Sequence, residues 1–361
     1  MKIAILGPAP PFRGGISRFA YALAKAFLEL GHNVQFYNFY KQYPALLFPG
    51  KGQLDRTFPE NEFENLRLLI PWSFKSWKLT INALKKYNPD VIIVSWFLPY
   101  FAPAYGYILK RLADPNIIIL AHNVSAHEKW PGEKQLLQYV FKPATKIVTL
   151  SKATLDELQA KLPLFISKKG VLGFHPCYDY KTNINDISNK TNTLLFFGLI
   201  KPYKGLDVLL KAMPTVIKVV PDAKLIIAGE VYGNSNIYTR QIQELGIEKN
   251  VETHFHYIGD PEIARFFSAS CLCILPYKSA SQSGVIATSY GFGVPVLASD
   301  IGGLGEYVID NETGYLVPPA NPEALAEKII IHLKQKPDMS KAIADFTKRY
   351  SWKALAELLI Q

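Results

Sequence analysis

Asp90-Val91-Ile92-Ile93-Val94-Ser95, Asn116-Ile117-Ile118-Ile119-Leu120 and Lys146-Ile147-Val148-Thr149-Leu150 decide the fold of this chain. Each is a short, nearly continuous Ile/Val/Leu run, without the alternation of a strand wetted on one side. Such runs belong to strands buried on both faces. Helix-like segments at 75–87, 100–112, 133–141 and 152–161 alternate with them, so the sheet is predicted to be parallel and covered by helices on both sides. Towards the N-terminus, Lys2-Ile3-Ala4-Ile5-Leu6-Gly7 reads as a first strand. Residues 17–30 carry apolar side chains at helical spacing until Gly31 stops them, and 34–39 is a further strand.

Towards the C-terminus the chain turns polar, and the alternation then restarts. Strands are predicted at 193–198, 224–229, 251–257, 271–275 and 295–298, and helices at 205–219, 237–245, 260–269, 284–291 and 322–335. The predicted class is therefore α/β, with two Rossmann-like domains facing each other across a cleft. Domain one is 1–176, the linker 177–192, domain two 193–343, and 344–361 a helical tail returning to the first domain. In such folds ligands bind outside the carboxyl ends of the strands.

At 361 residues, 49% apolar and 19% charged, each half can build a core, which excludes wholesale disorder. Cys177, Cys271 and Cys273 are too few for a disulfide framework and read as reduced thiols. No apolar run reaches the roughly 18 residues of a membrane span. The first strand begins too early for a signal peptide, so a cytoplasmic protein is expected. The charge is uneven. Residues 1–176 hold 22 Lys and Arg against 11 Asp and Glu, whereas 177–361 hold 18 against 19. A basic half suits phosphorylated substrates or anionic lipid, or simply a solvated surface. Without an interleaved aromatic–basic motif, nucleic acid is not an expected partner.

Three strand-to-helix loops carry candidate chemistry. In the first, Gly14-Gly15 lets backbone approach a ligand near a helix N-terminus, where an anion is favoured, though a tight turn needs the same glycines. In the second, Gly198-Leu199-Ile200-Lys201-Pro202-Tyr203-Lys204-Gly205, Lys201 and Lys204 sit where cations oppose the helix dipole. A bound polyphosphate would reverse that cost. The third, Ser281-Gln282-Ser283-Gly284-Val285, offers hydroxyls and amides to phosphate oxygens, or merely caps its helix. His122 follows a strand end and suits a structural, acid–base or sugar-binding role. His254 and His256 alternate on a strand without a completing Cys/His/Asp cluster, so they are assigned to structure and no metal site is expected.

Taken in order, these motifs resemble glycosyltransferase family 4, retaining enzymes of the GT-B fold. The resemblance runs through Gly14-Gly15, Ala121-His122-Asn123-Val124 with His127-Glu128, Thr149-Leu150-Ser151, Phe197-Gly198 to Lys204-Gly205, and Ala228-Gly229-Glu230. It continues through Gly293-Val294-Pro295-Val296, Gly302-Gly303-Leu304-Gly305-Glu306 and Asn311-Glu312-Thr313-Gly314. It implies sugar transfer from a nucleotide-diphosphate-sugar, with retained configuration and no required metal or other cofactor. By the same resemblance Lys204 neutralises the donor diphosphate, Gly15 approaches it by its amide, and His122 lies by the donor sugar. The donor would contact Gly14, Gly15, Gly198, Lys201, Lys204, Glu230, Ser281, Gln282, Ser283, Gly284, Val285 and Thr288.

Two departures stand out. The family's usual Arg after the glycine is Leu199 here, with Lys201 two residues later as the nearest substitute. The family's two glutamates, spaced by seven residues, fall on Ala280 and Thr288. The second usually holds the ribose hydroxyls. The leading expectation is an active transferase acting on a saccharide or lipid-linked saccharide in cell-surface polysaccharide or glycan synthesis, cytoplasmic and peripheral to an anionic membrane. The alternative is a catalytically inactive sugar-nucleotide-binding or scaffold subunit. The aromatic segment 96–107 is a candidate to line an acceptor groove, to touch lipid, or to fill a core.

Overall fold

The computed structural model describes residues 1–44, 52–55, 62–112, 116–125, 130–178, 180, 191–280 and 282–361. The chain divides into two compact units, one of Met1–His175 with Trp352–Gln361, the other of Pro176–Ser351. Of the polar stretch 177–192, residues 179 and 181–190 lie outside the described residues. Tyr180 stacks on Phe292 of the second unit, with ring centroids 4.1 Å apart.

Among the described residues, the first unit is built on seven parallel strands: β1 (Lys2–Leu6), β2 (Asn33–Phe39), β3 (Glu64–Leu69), β4 (Val91–Trp96), β5 (Asn116–Ala121), β6 (Lys146–Thr149) and β7 (Gly170–Leu172). Their order is β3-β2-β1-β4-β5-β6-β7, with Ile5 in register with Phe36 on one side and Ile93 on the other. Among the described residues, the α-helices of this unit before its C-terminal one are α1 (Gly15–Glu29), α2 (Phe74–Tyr87), α3 (Ala102–Leu109), α4 (Glu133–Phe141), α5 (Lys152–Lys161) and α6 (Leu164–Ser167). Successive side chains of a strand point to opposite faces. Ile3 and Ile5 therefore pack with Phe19, Leu23 and Phe27 of α1, while Ala4 and Leu6 share a core with Trp77 of α2, Ile108 of α3 and Phe141 of α4.

The second unit repeats the plan with β8 (Thr193–Phe197), β9 (Lys224–Ala228), β10 (Val251–His254), β11 (Leu272–Leu275), β12 (Val296–Ser299) and β13 (Gly314–Val317). All are parallel, ordered β10-β9-β8-β11-β12-β13. Its helices are α7 (Leu206–Val219), α8 (Asn236–Glu244), α9 (Asp260–Ala269), α10 (Gly284–Gly291), α11 (Pro322–Gln335) and α12 (Ser340–Arg349). The final helix, α13 (Trp352–Ile360), belongs to the first unit. It buries Leu355, Ala356 and Leu359 in the α1 core, and Lys146 Nζ donates to the Leu358 and Leu359 carbonyls at 3.2 Å each.

In both sheets the order reverses beside the first strand. β1 lies between β2 and β4, and β8 between β9 and β11, so the loops leaving each central pair diverge and open a crevice at the carboxyl edge. That placement decides which loops can meet a ligand.

The aromatic segment 96–107 is largely core. Trp96, Phe101 and Tyr105 are completely buried, so of the three roles open to this segment these side chains take the core one. None of the three cysteines forms a disulfide, and burial pushes the thiols of Cys177 and Cys273 up to about 12, leaving them unreactive. Among the described residues, no helix is long and apolar enough to cross a membrane.

Candidate active site

In the second unit the crevice lies between the loop after β8 and the loop after β11. Gly198 follows β8 at φ 101°, and a Cβ built there would lie 3.5 Å from Lys204 Nζ and 3.4 Å from Val285 Cγ2. The ammonium of Lys204 is thus brought over the strand end. A single turn of 3₁₀ helix, Pro202–Lys204, carries it there. Gly205 then turns the chain into α7 at φ 68°. Only glycine fits, because any Cβ would meet the Pro276 carbonyl oxygen at 1.9 Å.

Lys204 is the most unusual residue of the unit. It is 9% exposed, and its ammonium stands 5.0 Å from the Tyr277 ring centroid. No carboxylate among the described residues pairs with it, whereas nearby Lys278 and Asp207 form their own ion pair at 2.8 Å. Burial lowers its pKa from the ordinary lysine value. A buried cation without a counter-charge is costly unless a ligand anion completes the site. Lys201 is half-buried, with its ammonium 5.2 Å from the Tyr232 ring centroid.

The loop after β11 is more self-contained than its sequence suggests. Ser283 caps α10, accepting from the Val285 amide at 3.3 Å, and its hydroxyl also meets Tyr277 Oη at 3.3 Å. Val285 N–H, predicted to face phosphate, is therefore engaged. Thr288 turns its hydroxyl back to the Gly284 carbonyl at 3.0 Å. Gln282 and Gly284 are half-buried at the rim, and Ser281 lies outside the described residues. Glu230 follows β9, and its carbonyl accepts from Ile200 N–H at 2.9 Å.

In the first unit the loop after β1 leads to Gly14 and Gly15. Asn38 holds it, donating to the Ala9 and Pro10 carbonyls at 2.9 and 3.1 Å while accepting from Ala9 N–H at 3.2 Å. Gly14 takes φ 112°, as the turn into α1 demands, and both glycines are exposed with nothing within 4 Å of a built Cβ. The start of α1 is therefore open to an approaching group. His122 follows β5, its amide bonded to the Trp96 carbonyl at 2.9 Å. Burial, then the neighbouring His175, push its pKa down to about 3, so the imidazole is neutral at ordinary pH. Phe19 stands edge-on to His122, His175 and Trp352 at centroid distances of 4.8, 5.0 and 4.8 Å. His127 and Glu128 lie outside the described residues.

Sequence reasoning overlooked Tyr277 and Phe19. Tyr277 was detectable as an aromatic at the carboxyl end of a buried strand. Phe19 was not, since an apolar position on α1 looks the same whether it fills a core or wedges a histidine. His254 and His256 bond Glu252 and Glu262 at 2.6 and 3.0 Å. Among the described residues, no group of three or more His, Cys, Asp or Glu side chains is placed to hold a metal ion.

Two family models match most of the chain between them. Residues 13–167 match Glycosyltransferase Family 4, and residues 179–350 match glycosyl transferases group 1. With paired doubly wound sheets and loops of this kind at the strand ends, the chain belongs to glycosyltransferase family 4 and is a GT-B glycosyltransferase. An uncharacterized glycosyltransferase of Methanocaldococcus jannaschii is 26% identical over 98% of this chain and 95% of its own length. A D-inositol 3-phosphate glycosyltransferase of Segniliparus rotundus is 32% identical, over 46% of this chain and only 38% of the relative. Among solved structures, Anabaena HepE in complex with UDP-glucose has TM-score 0.76 at 17% identity, covering 100% of this chain and 98% of that one. That last likeness concerns the fold.

Proposed function

We propose that this glycosyltransferase uses a nucleotide-diphosphate-sugar, retains the anomeric configuration and needs no metal ion. The observation that carries the reading is Lys204, buried at the switch point of the second unit with no carboxylate partner among the described residues. A donor diphosphate would supply the missing charge. As the bond from the sugar carbon to the diphosphate oxygen breaks, negative charge grows on that oxygen, and Lys204 stabilises it in the role a metal plays elsewhere. The acceptor oxygen bonds to the same face of the sugar carbon, and its proton passes to the departing phosphate. Lys201 would assist from the rim.

His122, neutral because its pKa is about 3, is suited to hydrogen-bond the transferred sugar rather than to supply a cation. The UDP-glucose complex of the HepE structure supports a nucleotide-sugar donor, and the inositol-phosphate relative supports a hydroxylated acceptor. The acceptor is proposed to be a saccharide or lipid-linked saccharide of a cell-surface polysaccharide or glycan, met by a cytoplasmic enzyme at an anionic membrane. A panel of nucleotide sugars, screened first by thermal shift and then for transfer and hydrolysis, tests the donor reading. Tight binding without turnover of any donor would instead favour a sugar-nucleotide-binding subunit, as Ala280 and Thr288 at the family's two glutamate positions would allow.

A further inference from the structure

We propose that the outer face of α2, with the turn before it, is a docking surface for an anionic lipid bilayer. This deepens, and rests on, the reading of a membrane-borne acceptor. Residues 65–89 contain no Asp or Glu, and α2 alone carries Lys75, Lys78, Lys85 and Lys86. All four lysines are exposed and make no ion pair with any described residue. At 100° per residue they share one face with Phe74, Leu79 and Asn82. Three large apolar side chains are left in solvent there: Trp72 at 47%, Phe74 at 62% and Leu79 at 48% exposure. The inner face is conventional, with Trp77, Thr80, Ile81 and Leu84 buried.

The patch extends onto the next helix layer. Phe74 lies 5.7 Å from the Tyr107 ring, and Arg111 stacks its guanidinium over that same ring at 3.4 Å. Exposed Trp and Phe flanked by unpaired cations, on a helix with no acid, match the interfacial zone of a bilayer. Apolar tips enter the acyl boundary while lysines meet headgroup phosphates.

A second exposed apolar pair, Leu164 and Phe165, carries less of this charge, with Lys168 as its one exposed lysine that makes no ion pair with a described residue. Lys161 beside it is paired with Glu133 and Glu157, and Lys169 is tied to the carbonyls of Lys142 and Ala144. Charge complementarity therefore selects α2.

The test is co-sedimentation of the full chain with phosphatidylcholine vesicles, with and without phosphatidylglycerol, at low and raised salt. The wild type should bind only the anionic vesicles, and salt should release it. The Lys75→Gln/Lys78→Gln pair should weaken the partition coefficient roughly thirtyfold. Phe74→Ser/Leu79→Ser should weaken it roughly tenfold or more. Trp72 emission should shift blue on binding, a change missing in Trp72→Phe. All these side chains are exposed, so melting temperatures should stay near wild type.

Should the wild type ignore anionic vesicles altogether, both the membrane reading and this surface fall. Were it to bind while all α2 variants bind equally well, or while Leu164→Ser/Phe165→Ser alone releases it, the membrane reading stands and this surface is wrong. A lipid-free dimer that shields Trp72 would equally overturn it, in favour of a second copy as the occupant.

Discussion

Replacing Lys204 by Met separates catalysis from stability with opposite signs. The substitution keeps an unbranched side chain against Tyr277 and removes a cation that has 9% exposure and no carboxylate partner among the described residues. Removing such a desolvated charge is expected to stabilise the fold by about 1–3 kcal/mol. For a unit of this size that amounts to a rise in melting temperature of roughly 2–4 °C per kcal/mol. The gain should depend on pH with a definite sign. The folded pKa of Lys204 lies below the unfolded value, so the penalty is fully present below that lowered folded value. It fades as pH rises towards the unfolded lysine value near 10.5, and the gap between wild type and variant should narrow there. Transfer should drop by roughly a hundred- to a thousandfold, the usual cost of losing a group that stabilises developing charge. UDP at a hundredfold excess over Kd should stabilise the wild type by about 2.7 kcal/mol, and most of that should vanish in the variant. Scanning calorimetry with and without UDP, beside a transfer assay, reads all three quantities. A variant that melts lower, or turns over within a few-fold of wild type, would refute the reasoning.

His122→Ala should lower turnover more than it weakens UDP binding; equal losses, or a large drop in melting temperature, would make the side chain structural. Since Thr288 offers a hydroxyl already bonded to Gly284 where the family places its ribose glutamate, dUDP should inhibit within about threefold of UDP. A loss of tenfold or more would mean another group reads the 2′-hydroxyl. EDTA should leave transfer unchanged, and inhibition restored by manganese would overturn metal independence. Burial holds His332 at about 4, so the unfolded chain takes its proton first as pH falls below 6.5. Between pH 7 and 5 the wild type should lose about 2 kcal/mol more than His332→Asn, and parallel pH profiles of the two melting temperatures would contradict this.

How much of the molecule was legible follows burial. Strands β4, β5, β6, β8 and β9 lie inside their sheets, covered on both faces, and their apolar runs announce them. The strands absent from the sequence reading are β3, β7 and β13, and each stands at a sheet edge. Glu64–Leu69 mixes charge with leucine, while β7 and β13 have only 3 and 4 residues. An edge strand has one neighbour and a partly wetted face, so it needs neither length nor continuous hydrophobicity. The same logic explains β10, also an edge, which ends at His254 rather than running to residue 257. Side-chain commitments inside the site were less legible. No spacing rule says that Ser283 would turn inward to the Val285 amide, or which side chains of segment 96–107 would fill the core.

Where local rules and the fold disagree, the disagreement locates the chemistry. A lysine in the turn before a helix opposes the helix dipole, and burying it adds a desolvation cost. Every contact around Lys204 nevertheless holds it there. Gly198 leaves room above the ammonium, Gly205 fits a turn that no other residue could make under Pro276, and Tyr277 faces the charge with its ring. Stability alone would have selected an apolar residue in this place. The chain instead keeps, where two loops diverge at the carboxyl edge of the sheet, a cation with no carboxylate partner among the described residues. On the function proposed above, a fold that holds a charge against its own electrostatics does so for an anion that arrives from outside. On the docking proposed for α2, its exposed lysines, which form no ion pair with any described residue, and its exposed Trp72, Phe74 and Leu79 would follow the same principle at lower cost.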